Sequence, residues 1–306
     1  MTDAAVQAPG RASAPARLSL KTRLAARGID GTTLLVLPGL VAILALFVYP
    51  FIYGIVDSVT PETGAWYENY RRFFSEPFLY NTIAATLWLA LPVTLVNLAL
   101  AVPIAFRVRL MRRQRLLTTI LVLPITLGTV LVAEGLLNFL GPRGWFNQAL
   151  LFIGLIDGPL RLTNNYWGVF ASLLITGFPF AFLLTLSYVS GIDPAIEQAA
   201  ATLGANARRR FTRVFLPLLV PGLAVTFCLA FVQAFAVFPS AVLLGAPAGP
   251  TRVISIAAYS AAFEEYNHSL GSAIAIIMGV VQLVVVLAVL GLRGLFYRGP
   301  AGGTKG

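Results

Sequence analysis

Six long apolar stretches, separated by polar residues, organise this chain. An α-helix needs roughly 20 apolar residues to cross about 30 Å of hydrocarbon, so each stretch predicts a membrane-spanning helix. The six stretches lie near residues 33–59, 79–106, 116–140, 166–190, 214–243 and 271–296. Pro217, Pro221 and Pro239 can bend or shorten the fifth. The sequence therefore predicts an all-α membrane protein with six transmembrane helices.

Composition supports a membrane location and argues against a soluble protein. Hydrophobic residues make up 58% of the chain and charged residues 11%, as is typical of a multi-spanning membrane protein. The net charge of +10 could indicate nucleic-acid binding in a soluble protein, so the positions of the charges decide between the two. The single cysteine, Cys228, lies in an apolar stretch, which excludes a disulfide framework within this chain.

The basic residues mark one side of the predicted bundle. Of the 22 Lys and Arg residues, 17 lie in the N-terminal tail, the second loop, the fourth loop and the C-terminal tail. The positive-inside rule then places both termini and the fourth loop, residues 191–213, in the cytoplasm. Because these charges are dispersed over several cytoplasmic ends, we expect no nucleic-acid partner.

The same pattern divides the chain into three parts. Residues 1–30 are rich in Ala, Pro and Arg without an apolar stripe, which predicts a disordered cytoplasmic tail. Residues 31–298 form the predicted transmembrane domain, and residues 299–306 form a short cytoplasmic tail. Within the domain, residues 191–217 are a polar loop that predicts structure of its own.

This loop begins with the signals of a helix start. Asp193 can accept hydrogen bonds from the first free N–H groups of a helix, and Pro194 stands where a missing N–H does no harm. Gly204 is placed to end that helix in a left-handed turn. Asn206 can cap a second short helix, Ala207–Phe215, after which Pro217 predicts a turn into the fifth apolar stretch. The sequence predicts a rigid hairpin of two short helices.

One face of the first short helix predicts contact with another protein. Four apolar side chains fall on this face at helical spacing: Ile196, Ala199, Ala200 and Leu203. Its alanines suit close approach into a cleft, whereas a lipid-surface helix usually carries bulky apolar residues and a basic polar face. Instead, Glu197 and Gln198 follow, and a carboxylate there is free to meet an arginine of a partner. The plainer alternative is an ordinary amphipathic connector.

The loop resembles the cytoplasmic loop of permease subunits of binding-protein-dependent ABC importers. That family's pattern is Glu-Ala-Ala, three residues, Gly, nine residues, Ile, one residue, Leu-Pro. The matching positions in this sequence are Gln198, Ala199, Ala200, Gly204, Val214, Leu216 and Pro217. The spacing is intact, while Gln198 replaces the first Glu, Val214 replaces Ile, and Glu197 supplies a carboxylate one position earlier.

The resemblance implies a type I ABC importer permease fold, in a bacterial inner membrane, without a cofactor. It also implies two ATPase subunits, a second permease subunit and an extracytoplasmic substrate-binding protein as partners, beside the lipid bilayer. The residues expected to couple the permease to an ATPase are Glu197, Gln198, Ala199, Ala200, Leu203, Gly204, Leu216 and Pro217. Residues 238–245 and 272–276 look most like the branch that imports the polyamines spermidine and putrescine, with ferric-ion and thiamine importers nearby.

Three polar residues within the apolar stretches are candidates for the substrate pathway. Glu134 lies roughly 9 Å from the outer end of its predicted helix, where an ionised carboxylate needs a wet cavity or a partner. It could instead extend outward to water or pair with an arginine. Asn97 and Gln233 are the other candidates, although such amides commonly join neighbouring helices by hydrogen bonds. Asp57 is expected at the membrane interface.

The outer loop at 244–270 has too much Gly and Pro at its start for regular helix, and it predicts either a docking surface or a purely structural segment. His268 has no second metal-binding residue at ligand spacing, so we expect no metal site.

The chain lacks the phosphate-binding loop of an ATPase and the motifs of a membrane hydrolase, so we expect no enzyme and no catalytic residues. A secondary transporter and a membrane scaffold or receptor remain as alternatives to the importer.

Overall fold

The computed structural model describes the backbone of residues 31–296 and the side chains of residues 35–294. The predicted tails, residues 1–30 and 299–306, lie outside the described residues. Contacts divide the described residues into two units, the first ending at Tyr53 and the second beginning at Gly54. In the first unit the described residues are helical from Gly31, and the side chains of residues 35–53 are all exposed.

Regular structure between residues 31 and 296 is entirely helical. The helices are α1 Gly31–Ser58, α2 Glu68–Ser75, α3 Pro77–Val108, α4 Gln114–Leu127, α5 Thr129–Leu140, α6 Trp145–Phe152, α7 Tyr166–Ser190, α8 Pro194–Thr202, α9 Ala207–Arg210, α10 Leu216–Phe235, α11 Pro239–Leu244, α12 Ile254–Tyr259 and α13 His268–Phe296. Two π-helical turns, Phe211–Phe215 and Ser260–Glu264, continue α9 into α10 and extend α12.

Five helical segments of the described chain are long and apolar enough to cross a membrane: Leu35–Ser58, Pro77–Val108, Tyr166–Ser190, Ala207–Phe235 and His268–Gly294. The all-α membrane fold is therefore confirmed. The third predicted stretch differs, because it consists of two helical parts, Gln114–Leu127 and Thr129–Phe152, bent by 95°. Gly128 stands at the break with φ 76° and ψ 155°, a backbone conformation that residues with a Cβ rarely adopt.

Helices α3, α7 and α10 pack against one another at the centre of the second unit. Small residues allow this close approach, as at Ala101, Ala105 and Ala181, which are completely buried. At Gly222, an added Cβ would lie 2.4 Å from the ring of Tyr188. Because helices in lipid associate through van der Waals packing rather than through hydrophobic burial, such contacts set the spacing of the three helices.

The start of the outer loop is irregular, as its Gly and Pro residues predict, since residues 245–253 form no helix. The second half of the loop forms α12 and the π turn, and Ile254 and Ala257 are completely buried. The N–H of Ile254 donates to Thr86 Oγ1 on α3 at 2.9 Å, which satisfies a helix-start donor far from water. The fifth predicted stretch also ends at Phe235 rather than near residue 243. Much of this loop is thus a packed part of the bundle.

The opposite ends of the bundle hold different loops. At one end, Arg72 pairs with Glu265 at 3.5 Å, and Asp57 accepts a hydrogen bond from Ser272 at 2.7 Å. At the other end, Arg109 after α3 pairs with Glu197 on α8. The second and fourth loops therefore lie together, as the distribution of basic residues predicts.

Candidate coupling loop and translocation cavity

The first short helix of the loop has the predicted boundaries. Asp193 Oδ1 accepts a hydrogen bond from Ala195 N at 2.8 Å, and Pro194 occupies the first turn of α8. Gly204 has φ +81°, in the left-handed region. The N–H groups of Gly204 and Ala205 donate to the carbonyls of Ala201 and Ala200, at 3.0 and 3.1 Å, which is the pairing of a Schellman motif. Local hydrogen bonds therefore fix both ends of α8.

The second short helix starts as predicted but does not end as predicted. Asn206 Oδ1 accepts from Arg209 N at 2.9 Å and caps α9. The expected turn at Pro217 is wrong, because the helix continues from Ala207 to Phe235. Proline lacks an N–H, and its ring would meet the carbonyl of Arg213 in a regular α-helix. The π turn before it, closed by Leu216 N–H on the Phe211 carbonyl, lets the helix pass the proline.

The predicted contact face of α8 is bare in the isolated chain. No residue of α8 is buried, and the side chains of Ile196 and Leu203 are 43% and 88% exposed. Ala199 and Gln198 are also exposed, and Ala200 is half-buried. The last two predicted coupling residues, Leu216 and Pro217, lie apart from this face, at the start of α10.

Glu197 does not stand free for a partner, contrary to the sequence expectation. Its carboxylate accepts a hydrogen bond from the guanidinium of Arg109 and forms an ion pair with it. The Arg109 side chain is only 8% exposed, and its guanidinium carbon lies 4.5 Å and 4.4 Å from the ring centroids of Phe106 and Phe215. Glu197 therefore faces into the protein rather than towards a partner.

Sequence reasoning missed Arg109 because it counted this residue only as one of five basic residues in the second loop. Its partner Glu197 lies 88 positions further along the chain, and no local sequence pattern predicts a contact over that separation. The one local sign is Phe106, three residues before Arg109, whose ring can lie under a guanidinium on the same helical face.

Two of the three predicted pathway residues share a cavity. Asn97 and Gln233 line a space of about 120 Å³, together with Thr129, Thr176 and Ser240. The cavity lies where α10 ends at Phe235 and the chain breaks before α11. Such interruptions of membrane helices expose backbone carbonyls and helix ends that can bind a polar solute.

The amide of Asn97 is only partly satisfied. Asn97 is 2% exposed, and its Nδ2 donates to the carbonyl of Leu173 at 3.4 Å. Its Oδ1 is buried and has no hydrogen-bond partner within the described residues. Exchanging the two amide atoms would set two oxygens against each other, so the contact with Leu173 fixes the orientation of the amide.

Glu134 lies away from this cavity. Its side chain is exposed on α5, and Asn138 Nδ2 donates to its backbone carbonyl at 3.0 Å and approaches its carboxylate at 3.5 Å. The structure thus brings Asn97 and Gln233 together but does not bring Glu134 to them.

A sequence model of the family described as "Binding-protein-dependent transport system inner membrane component" matches residues 31–299. The chain belongs to this family. It is a transport permease of the ABC importer type, with several membrane-spanning helices. The resemblance seen in the coupling loop is therefore confirmed at the level of the family.

Curated relatives include permeases of different importers. The permease is 31% identical over 180 residues to the spermidine/putrescine transport system permease protein PotB of Haemophilus influenzae, a match that covers 58% of this chain and 63% of that protein. The same identity holds for PotB of Escherichia coli, with 58% and 65% covered. The sulfate permease CysT of Salmonella typhimurium is 26% identical over 190 residues, with 62% and 66% covered. Each match spans less than two thirds of the relative's length.

Solved structures show the same fold. A bacterial alginate ABC transporter, in complex with its alginate-bound periplasmic protein, matches 92% of the permease and 99% of the compared chain, with a TM-score of 0.77 and 24% identity. The MetNI methionine ABC transporter matches 72% and 97%, with a TM-score of 0.57 and 13% identity. The type I fold predicted from the resemblance is confirmed.

Proposed function

We propose that this permease forms half of the substrate pathway of an ABC importer and couples it to ATP hydrolysis by partner subunits, for the uptake of polyamines. The observation that supports coupling is the α8 face: it is apolar, bare, and held at both ends by local hydrogen bonds. A helix with these properties can enter a cleft of an ATPase without refolding.

The proposed assembly contains two ATPase subunits, a second permease subunit, and an extracytoplasmic binding protein. The permease lies in a bacterial inner membrane with both termini in the cytoplasm, as its basic residues indicate. ATP binding draws the ATPases together, and residues 193–217 follow as a rigid body. The paired permeases then open outward to receive substrate, and hydrolysis resets them.

A cationic substrate fits the polar groups available along the proposed pathway better than an anion does. Glu134 carries a carboxylate, and the amide oxygen of Asn97, in the cavity wall, is an acceptor without a partner among the described residues. A sulfate site would instead call for N–H donors or basic side chains. The 31% identity to polyamine permeases agrees with this preference, whereas the sulfate relative is 26% identical. Ferric ion and thiamine are the other cationic candidates.

Reconstitution tests the proposal directly. The permease, assembled with its neighbouring subunits in proteoliposomes, is expected to take up radiolabelled spermidine or putrescine only when ATP is supplied. Uptake of sulfate, iron or thiamine in place of polyamine would overturn the substrate. Uptake without ATP would indicate a secondary transporter, and binding without any uptake would indicate a scaffold or receptor.

A cysteine at position 200 tests the α8 contact. Ala200→Cys, in a Cys228→Ser background, is expected to crosslink to an ATPase subunit, with a yield that differs between the nucleotide-free and ATP-trapped states. Cysteine at position 112, which is exposed in the neighbouring loop, provides the comparison. No crosslink in any nucleotide state, together with labelling by a lipid-embedded probe, would show that α8 lies on the membrane surface.

Removing the charge of Glu134 tests its place in the pathway. Glu134→Gln keeps the shape of the side chain and is expected to lower polyamine uptake roughly tenfold, the low end of the effect of opposite charge in a cleft on the arrival of a charged ligand. Assembly with the ATPase should stay intact. Glu62→Gln, an exposed loop carboxylate, is the matched control. Unchanged uptake kinetics would leave Glu134 with a structural role.

A further inference from the structure

Arg109 lies where three elements of the permease meet. It caps the C-terminal end of α3, and its guanidinium contacts Glu197 on α8. The same guanidinium lies over the rings of Phe106, on α3, and Phe215, in the π turn before α10. A single side chain therefore joins the second loop and the fourth loop to the π turn before α10.

The chemistry of this contact requires arginine. A guanidinium is planar, so it can present its faces to aromatic rings while its edge donates to a carboxylate. Lysine carries a point charge and cannot make both contacts in this way. The two rings also contact each other edge to face, with centroids 4.6 Å apart. Their positions beside the guanidinium are therefore fixed by this contact as well.

The ion pair faces the protein on a helix that is otherwise exposed. No residue of α8 is buried, whereas the Arg109 side chain is 8% exposed and that of Glu197 is 27% exposed. Burial shields an ion pair from salt, while the cost of desolvating the two charges offsets much of their attraction. The Arg109–Glu197 pair is thus a side-chain contact that joins α8 to the residue ending α3, on a helix without a buried apolar side chain.

Beyond Arg109, α3 continues towards the cavity. Asn97 lies twelve positions earlier on the same helix, which corresponds to about 18 Å along its axis. Between them, Ala101 and Ala105 are completely buried against the neighbouring helices. A displacement applied at Arg109 would reach Asn97 through a packed helix rather than through a loop.

We infer that Arg109 is a positioning residue that ties α8 to α3, so that movement of the coupling helix is transmitted along α3 to the Asn97 cavity. The inference rests on the proposed coupling function. It assigns to the second loop a part in transmission, beside the fourth loop that carries α8.

The functional test uses the assembled transporter in proteoliposomes, with radiolabelled spermidine and separate measurement of ATP hydrolysis. Arg109→Gln and Glu197→Gln are each expected to lower the spermidine transported per ATP hydrolysed by roughly tenfold, because the tether is lost. ATPase subunits should still co-purify with both variants. The double variant should be no worse than Arg109→Gln alone, since the pair is already broken. Arg112→Gln, an exposed arginine of the same loop, should match the parent.

A structural readout separates this inference from the substrate and from ATP coupling. Spin labels at position 107 on α3 and position 202 at the end of α8, both exposed and outside the proposed contact face, report the distance between the two elements in the assembled transporter with Cys228→Ser. The parental distance distribution should be narrow, and Glu197→Gln should broaden it. If the parent fails to transport spermidine, the proposed substrate is wrong, and the label distances still test the tether.

Two results would overturn the inference. One is an unchanged distance distribution in Glu197→Gln, which would show that other contacts hold α8 in place. The other is additive losses in the double variant, which would show that Arg109 and Glu197 act independently. Should Arg109→Gln fail to assemble, Arg109→Lys keeps the charge, and transport equal to the parent would equally contradict the role of the planar group.

Discussion

Replacing Gly204 with valine is expected to uncouple ATP hydrolysis from transport. Gly204 has φ +81°, and a left-handed conformation costs a residue with a Cβ about 1–2 kcal/mol, with more strain for a β-branched side chain. An added Cβ would meet no atom within 4 Å, so the effect comes from the backbone alone. The end of α8 would shift, and transport should fall by roughly tenfold, in line with a strain of that size.

Gly204→Asn is the matched control for this variant. Asparagine tolerates the left-handed region far better than valine, so it should keep most of the transport activity. The measurement is spermidine uptake per ATP hydrolysed, with co-purification of the ATPase as the check on assembly. Parental transport by a normally assembled Gly204→Val transporter would show that the geometry of this turn does not matter for coupling.

The parts of the loop that follow local rules were predictable from sequence. Asp193, Gly204 and Asn206 act within a few residues of themselves, so their hydrogen bonds and backbone angles could be expected from residue type alone. The same holds for the membrane helices, whose apolar length is a local property. Boundaries agree within a few residues wherever no interruption intervenes.

The predictions from sequence failed where the same local sequence signal can lead to more than one structure. Pro217 was expected to turn the chain, yet a π turn lets the helix continue past it. Gly128 stands in an apolar stretch that hydropathy alone makes continuous, while its backbone breaks the helix. Residues 254–264 are helical because they are buried against α3 and α13, which composition does not reveal. Tertiary packing decides each of these cases.

The candidate site was predictable by chemistry but not by geometry. Polarity within apolar stretches identified Asn97, Gln233 and Glu134, and nothing in the sequence indicated that the first two line one cavity while the third does not. Arg109 shows the converse, because its position was noted only for its charge. Its aromatic and acidic neighbours come from three separate elements, and their convergence required the fold.

A second large effect is expected at Gly168, in the first turn of α7. An added Cβ would lie 2.5 Å from the carbonyl oxygen of Leu162 and 2.9 Å from that of Leu244. Both obstacles are backbone atoms, so no side chain can turn away to make room. Leu244 also accepts a hydrogen bond from Asn165 N at 3.2 Å, so the start of α7 is anchored to the end of α11.

Gly168→Ala should therefore force α7 and α11 apart and destabilise the permease by about 1–3 kcal/mol, the usual range for overpacking. The displacement should also disturb the cavity, because Ser240 on α11 lines it and shares a hydrogen bond of 2.8 Å with Ser172 on α7. The thermal unfolding midpoint of the solubilised transporter should fall, and spermidine uptake with it.

Gly279→Ala is the control: no atom lies within 4 Å of its added Cβ, and alanine favours a helix by about 1 kcal/mol over glycine. Equal midpoints for the two variants would show that the contact between α7 and α11 is loose enough to admit a methyl group, and the cavity would then owe its shape to other contacts.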